Sequence, residues 1–134
     1  MKIILVDDNV QFSSDLKYYI ETKLSYNVIE VVTNGYEFLE LLDRTLADII
    51  LMDIVMNEMD GFKTTKHALI HYSYLKIIAI TMHIENVYLI KLIETGFKGC
   101  IYKSNLFTQL PIALKTVLSG NLWFPDKISL EKVY

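Results

Sequence analysis

Cysteine is almost missing from this 134-residue chain: Cys100 stands alone, which excludes an internal disulfide and a cysteine-built zinc site. Long apolar runs are missing too. None approaches the roughly 20 residues needed to span a bilayer, and Ile3 to Val6 behind Met1 is too short for a secretory h-region. Positive charge is in deficit: 13 Lys and Arg against 16 Asp and Glu give −3, with a pI of about 5.5. This segment therefore carries no electrostatic footprint for nucleic acid. There is no internal repeat, low-complexity tract, GxGxxG or Walker lysine motif. These absences predict a soluble cytoplasmic protein with no membrane contact.

What the chain does have is a core. A hydrophobic content of 52% and a mean hydropathy of +0.30 suit one densely packed domain. The organising stretch is Asp48 to Gly61. Ile49 to Met52 run straight into Asp53, and a turn-like Met-Asn-Glu-Met-Asp-Gly follows. Such a run suits a strand buried on both faces, with Asp53 emerging at its carboxyl end. Open α/β sheets place their ligands at that edge.

Similar strands are predicted at Lys2 to Asp7, Val28 to Thr33, Lys76 to Thr81 and Gly99 to Lys103. Helices are predicted from about Val10, where Phe12, Leu16, Tyr19, Ile20 and Leu24 keep helical spacing. Others cover Tyr36 to Asp43, Phe62 to His71, and Glu85 to Thr95, the last stopped by Gly96. A final helix ends near Gly120. Pro111 lacks an amide hydrogen and clashes with the preceding turn, so that helix is expected to start late, between Thr108 and Pro111. Strict alternation implies parallel strands with right-handed crossovers and helices on both faces. The expected fold is α/β, a doubly wound five-stranded parallel sheet of order 2-1-3-4-5, flavodoxin-like. Residues 1–120 form the domain, and 121–134 a tail or the start of a linker.

That order sets strands one and three side by side, so Asp7, Asp8 and Asp53 meet at one edge, joined by Thr81 and Lys103. Two like charges about 4 Å apart repel by about 1 kcal/mol in water and about 4 at an effective dielectric of 20. Three carboxylates together call for a cation, a proton shift, or both. An all-oxygen site with few protein ligands suits Mg²⁺.

With MDIVMNEMDG around Asp53, these five residues in order resemble the receiver domain of bacterial response regulators, over about residues 2 to 120. The resemblance implies that Asp53 accepts a phosphoryl group from a histidine kinase's phosphohistidine, in a signalling protein rather than an enzyme. It implies that Asp8, Asp53 and the Val55 carbonyl bind Mg²⁺, with Asp7 acting directly or through water. Lys103 would pair with the phosphoryl oxygens and the Thr81 hydroxyl would hydrogen-bond to one of them when the switch is on.

Some positions depart from that family's pattern. Asn57 replaces a proline, which predicts a more mobile loop. Met82 follows Thr81 where a small residue is usual, and its bulk is expected to shield the phosphoryl group. Cys100 occupies the usual aromatic position, and Tyr102 is expected on the opposite sheet face. Ser104 replaces the proline after the lysine, removing an expected cis peptide. The missing proline, Thr81-Met82-His83 and the Ser-Gly-Asn-Leu-Trp-Phe ending resemble the subfamily with a LuxR-type helix-turn-helix effector. DNA would then be contacted through a following domain, with a homodimer possible.

Other readings carry less chemistry. A stand-alone receiver would act through protein contacts alone. An Asp-nucleophile phosphatase would want a second acid two residues after Asp53, where Val55 stands. A nucleotide or flavin binder would find Asp7-Asp8-Asn9 repelling its phosphate. His67, His71 and His83 lack metal spacing, Asp60 reads as a turn or cap, and Cys100 as a buried hydrophobe. Ile84, Val87, Tyr88, Leu89, Ile90, Leu92 and Ile93 spread around their helix, which suits either an overfilled core or a partner surface.

Overall fold

The structure is a computed structural model that describes residues 1–82 and 86–125. Its elements are β1 (Lys2–Val6), α1 (Val10–Lys23), β2 (Asn27–Val32), α2 (Gly35–Leu41), β3 (Ile49–Asp53) and α3 (Gly61–His71). There follow β4 (Ile77–Thr81), α4 (Asn86–Thr95), β5 (Gly99–Tyr102) and α5 (Leu106–Leu118). The sheet is parallel throughout, in the order β2-β1-β3-β4-β5. This is the doubly wound architecture the alternating pattern predicts. No described helix is long and apolar enough to cross a membrane.

Side chains alternate across the sheet and feed two cores. Val6, Ile50, Met52, Ile77 and Ala79 pack with Phe38, Phe62, Ala68, Leu89 and Leu92 beneath α2, α3 and α4. Ile3, Leu5, Ile49, Leu51, Ile78, Ile80 and Ile101 pack with Leu16, Ile20, Leu110 and Leu114 beneath α1 and α5. β3 and β4 are buried along their whole length, which is why both read as unbroken apolar runs. Side-chain caps fix three helix starts: Asn9 accepts from the Phe12 amide, Asn34 from Glu37 and Asp60 from Lys63. Asp60 is thus the cap its sequence context suggests.

Two expectations need correction. The last helix does not start late: α5 runs from Leu106 with Pro111 inside it. Burial of Leu106, Leu110, Ala113, Leu114 and Val117 along one stripe outweighs the proline's cost. The carbonyl that Pro111 cannot serve belongs to Phe107, and it accepts the Tyr19 hydroxyl at 3.1 Å. The rings of Tyr19 and Phe107 meet edge to face, 4.6 Å between centroids. Second, Tyr102 is not opposite Cys100. They are two residues apart, so the strand's period of 2 puts both on one face, in the α2–α3–α4 core.

Boundaries shift slightly elsewhere. β5 stops at Tyr102, and Lys103 opens a one-turn 3₁₀ segment ending at Asn105. No cis peptide occurs among the described residues, in keeping with Ser104 after the lysine. On α4, Leu89 and Leu92 are buried while Tyr88, Ile90 and Ile93 are half-buried, so its described apolar residues face largely inward. His83, Ile84, Glu85 and the side chain of Val87 lie outside the described residues. So does the tail beyond Pro125.

Residues 121–125 are packed against the sheet. The Trp123 amide donates to the Lys98 carbonyl at 3.0 Å, and the Cys100 amide donates to the Trp123 carbonyl at 3.1 Å. The segment thereby makes a parallel bridge to Gly99 at the β5 edge. A Cβ on Gly99 would lie 2.7 Å from the Trp123 carbonyl oxygen.

Candidate functional site

Strand register builds the site. Val6 is opposite Met52 across β1 and β3, so Asp7 leaves the sheet beside Asp53. Asp53 is opposite Ile80, and Thr81 is opposite Tyr102, so Thr81 and Lys103 arrive at the same edge. Two glycine-dependent details fix the loop beyond Asp53. The Gly61 amide donates to the Ile54 carbonyl at 2.8 Å. A Cβ on Gly61 would sit 2.3 Å from the Asp53 carbonyl oxygen, so only glycine lets α3 start this close to β3.

One carboxylate oxygen from each of Asp7, Asp8 and Asp53 lies within 4.8 Å of the others. Asp7 and Asp53 are buried, at 4% and 6% exposure, while Asp8 is more open. Lys103 Nζ lies 3.2 Å from Asp7 Oδ2 and 3.6 Å from Asp53 Oδ1. The Asn9 amide donates to Asp7 Oδ1 at 2.8 Å. The single ammonium does not balance the cluster. Burial, followed by the charge of Asp7, pushes the Asp53 carboxyl up to about 7, against the opposing pull of Lys103. A buried, all-oxygen, under-neutralised trio has the donor set of a hard divalent ion.

The remaining expected residues occupy different positions. Thr81 is buried, and its odd-numbered register places it on the face of Ile77 and Ala79, under α3 and α4. Asp7 and Asp53 follow Leu5 and Leu51, on the α1 and α5 face. Thr81 therefore borders the cluster from the other side of the sheet. Val55 is two residues past Asp53 with an exposed side chain, so any contribution it makes would come from its backbone. Met82 is 72% exposed beyond Thr81. His67 and His71 line a surface cavity of about 570 Å³ with Asp43 and Tyr72 between α2 and α3, away from the acidic edge. Among the described residues the carboxylate trio is the only clustered metal-ligand set. Burial pushes the Cys100 thiol up to about 12, consistent with an inert core residue.

Three contacts escape sequence reasoning. The Asn57 amide donates to Asp8 Oδ2 at 3.2 Å, a bond that proline at this position would not make. The departure that predicted a looser loop instead supplies a tie between that loop and the site. Lys103 Nζ stands 4.3 Å from the centroid of the Phe12 ring. The Ser13 hydroxyl is buried without a hydrogen-bond partner, beside Asp7 and Asp53. Phe12 and Ser13 follow Asp7 by five and six residues on the first turn of α1; only Phe12's helical spacing was legible, and it reads as core.

Comparison with known proteins gives this geometry a context. The family profile described as response regulator receiver domain matches residues 3–115. The transcriptional regulatory protein YdfI of Bacillus subtilis is 33% identical over 121 residues, covering 90% of this chain and 56% of its own length. DegU of Brevibacillus brevis is 25% identical, covering 96% of this chain and 55% of its own. The chain thus spans little more than half of these curated relatives. Among solved structures, a LuxR-family two-component response regulator from Aurantimonas sp. superposes with a TM-score of 0.91. It is 26% identical and covers 99% of this chain and 98% of that one. The response regulator RcsB of Salmonella typhimurium gives 0.90 at 25% identity, covering 98% and 70%.

Proposed function

The chain belongs to the response regulator receiver domain family, and we propose that within it Asp53 is the phosphoacceptor of a phosphorylation-activated signalling switch. Its relatives are transcriptional regulators, and the family is one of signalling proteins rather than conventional enzymes. The observation that carries the proposal is the arrangement around Asp53: a buried carboxylate flanked by Asp7 and Asp8, with the Lys103 ammonium 3.6 Å away.

In the proposed reaction a carboxylate oxygen of Asp53 attacks the phosphorus of a histidine kinase's phosphohistidine. The P–O bond forms as the P–N bond breaks, and the imidazole nitrogen leaves with the electron pair and takes a proton. The difficulty is bringing two anions together. Asp7, Asp8 and Asp53, with the Val55 carbonyl, would hold Mg²⁺. When bound, the ion offsets the carboxylate and phosphoryl charges and favours the ionised, nucleophilic Asp53. Lys103 supplies a fixed positive charge on the other side and is assigned to the phosphoryl oxygens. The product adds roughly 1.5 to 2 negative charges at the sheet edge, by analogy with other phosphorylated side chains. Drawing the Thr81 hydroxyl across toward that charge gives the differential contact a two-state switch needs.

We assign residues 1–120 to the receiver and the following segment to a linker. The short span relative to its relatives supports a DNA-binding effector of LuxR type beyond it. DNA contact would belong to that effector, dimerisation to the whole cytoplasmic protein. An aspartyl phosphatase reading is disfavoured because the residue two past Asp53 is Val55, not an acid.

Incubation with phosphoramidate and Mg²⁺ tests the proposal. One phosphoryl group should be added, and Asp53→Asn or chelation of the metal should abolish the addition. Labelling that persists in Asp53→Asn would refute it.

A further inference from the structure

We infer that Phe12 is a positioning residue for Lys103, using its ring face to hold the ammonium against Asp53. The inference rests on the proposed role of Lys103 in phosphoryl transfer. An ammonium has three N–H donors. Lys103 Nζ has Asp7 at 3.2 Å, Asp53 at 3.6 Å and the Phe12 ring centroid at 4.3 Å, so three partners are found for three donors. The third is an aromatic face where an exposed lysine would use water.

That substitution matters electrostatically. The Lys103 side chain is only 17% exposed, and its two carboxylate partners less so. A ring attracts the cation through its quadrupole while bringing no mobile dipoles to screen it. The field of Lys103 at Asp53 therefore keeps more of its strength than it would beside water. The ring also restricts where a flexible four-carbon side chain can carry its charge.

Phe12 is itself fixed from both ends. Its amide donates to Asn9, the cap of α1, and its side chain packs against the core shared by α1 and α5. The turn that presents Asp7 and Asp8 thus also presents the ring, and Asn9 closes the same turn by donating to Asp7. Carboxylates and ring move as one unit relative to Lys103, which arrives from β5.

The test compares Phe12→Leu with Phe12→Tyr, beside Lys103→Ala, in the 134-residue chain. Leucine keeps an apolar side chain without the quadrupole; tyrosine keeps the ring. Phe12→Leu should slow phosphorylation by phosphoramidate and Mg²⁺ roughly three- to tenfold, in line with a partly desolvated cation–π contact. Phe12→Tyr should stay within about twofold of the unsubstituted chain on the same grounds. In proton NMR, the ring-current shift on the Lys103 ε-methylene should persist in Phe12→Tyr and vanish in Phe12→Leu. Equal rates for Leu and Tyr variants, or an unshifted Lys103 methylene in the unsubstituted chain, would overturn the inference. If Lys103→Ala itself reacts at the full rate, the role of Lys103 falls, and that outcome is separate. Impairment of Lys103→Ala with Phe12→Leu unimpaired leaves that role standing and removes Phe12 alone.

Discussion

Asp53 is held in a conflict that sets both its reactivity and its cost. Burial and the neighbouring Asp7 push its carboxyl from the usual 3.8 up to about 7, so without a cation it is partly protonated near neutrality. A carboxyl raised on folding contributes stability that is complete below its unfolded pKa and is lost as pH climbs through the folded value. In chelator, the chain should therefore lose stability between about pH 4 and 7. Asp53→Asn removes that loss. The variant should match the unsubstituted chain near pH 4 and exceed it by roughly 1–3 kcal/mol above pH 7. Urea unfolding at the two pH values checks this, and an equal gain at both would point to a cause other than ionisation. At this scale the sequence was only partly legible. The carboxylates, Thr81 and Lys103 stand at strand ends, where topology alone brings them to one edge. The Phe12 ring and the Asn57 amide act through space on Lys103 and Asp8, and no spacing rule points to them.

Among the elements, α5 shows where a local rule yields to packing. A proline inside a helix costs about 3 kcal/mol in isolation, which argues for a later start. The buried stripe from Leu106 to Val117 argues the other way, and the Tyr19 hydroxyl supplies a donor to the carbonyl Pro111 leaves unserved. Pro111→Ala should raise stability by about 1–2 kcal/mol, less than the intrinsic penalty because Tyr19 already offsets part of it. Tyr19→Phe should cost about 0.5–1 kcal/mol in the native background, and less once Pro111→Ala restores a backbone amide that can serve Phe107. A double-mutant cycle in urea reads the coupling; strictly additive effects would separate the two residues. The face of Tyr102 was legible from the start, since two residues along a strand restore the same face. Counting it as a single step made the error.

For the molecule as a whole, periodicity was sufficient. Buried β3 and β4 read as continuous apolar runs, amphipathic segments between them read as helices, and handedness then leaves few ways to wind the sheet. The far end was less legible, because Asn121 to Pro125 has no repeating pattern to mark it as part of the domain. Yet Trp123 bridges to Gly99, and Trp123 and Phe124 pack against the two cores. A chain ending after Gly120 should lose about 1–3 kcal/mol relative to one ending after Pro125, from the apolar area uncovered and the edge bonds lost. Identical urea midpoints would mean that the segment merely rests on the sheet. The central claim, that the convergent edge exists to make an acyl phosphate on one residue, has a more direct test. The chain is treated with phosphoramidate and Mg²⁺, reduced with borohydride, digested and sequenced by mass spectrometry. Reduction of an aspartyl phosphate leaves homoserine, which should be found at position 53 and nowhere else. Homoserine at another aspartate, or none despite intact Mg²⁺ binding, would contradict the account.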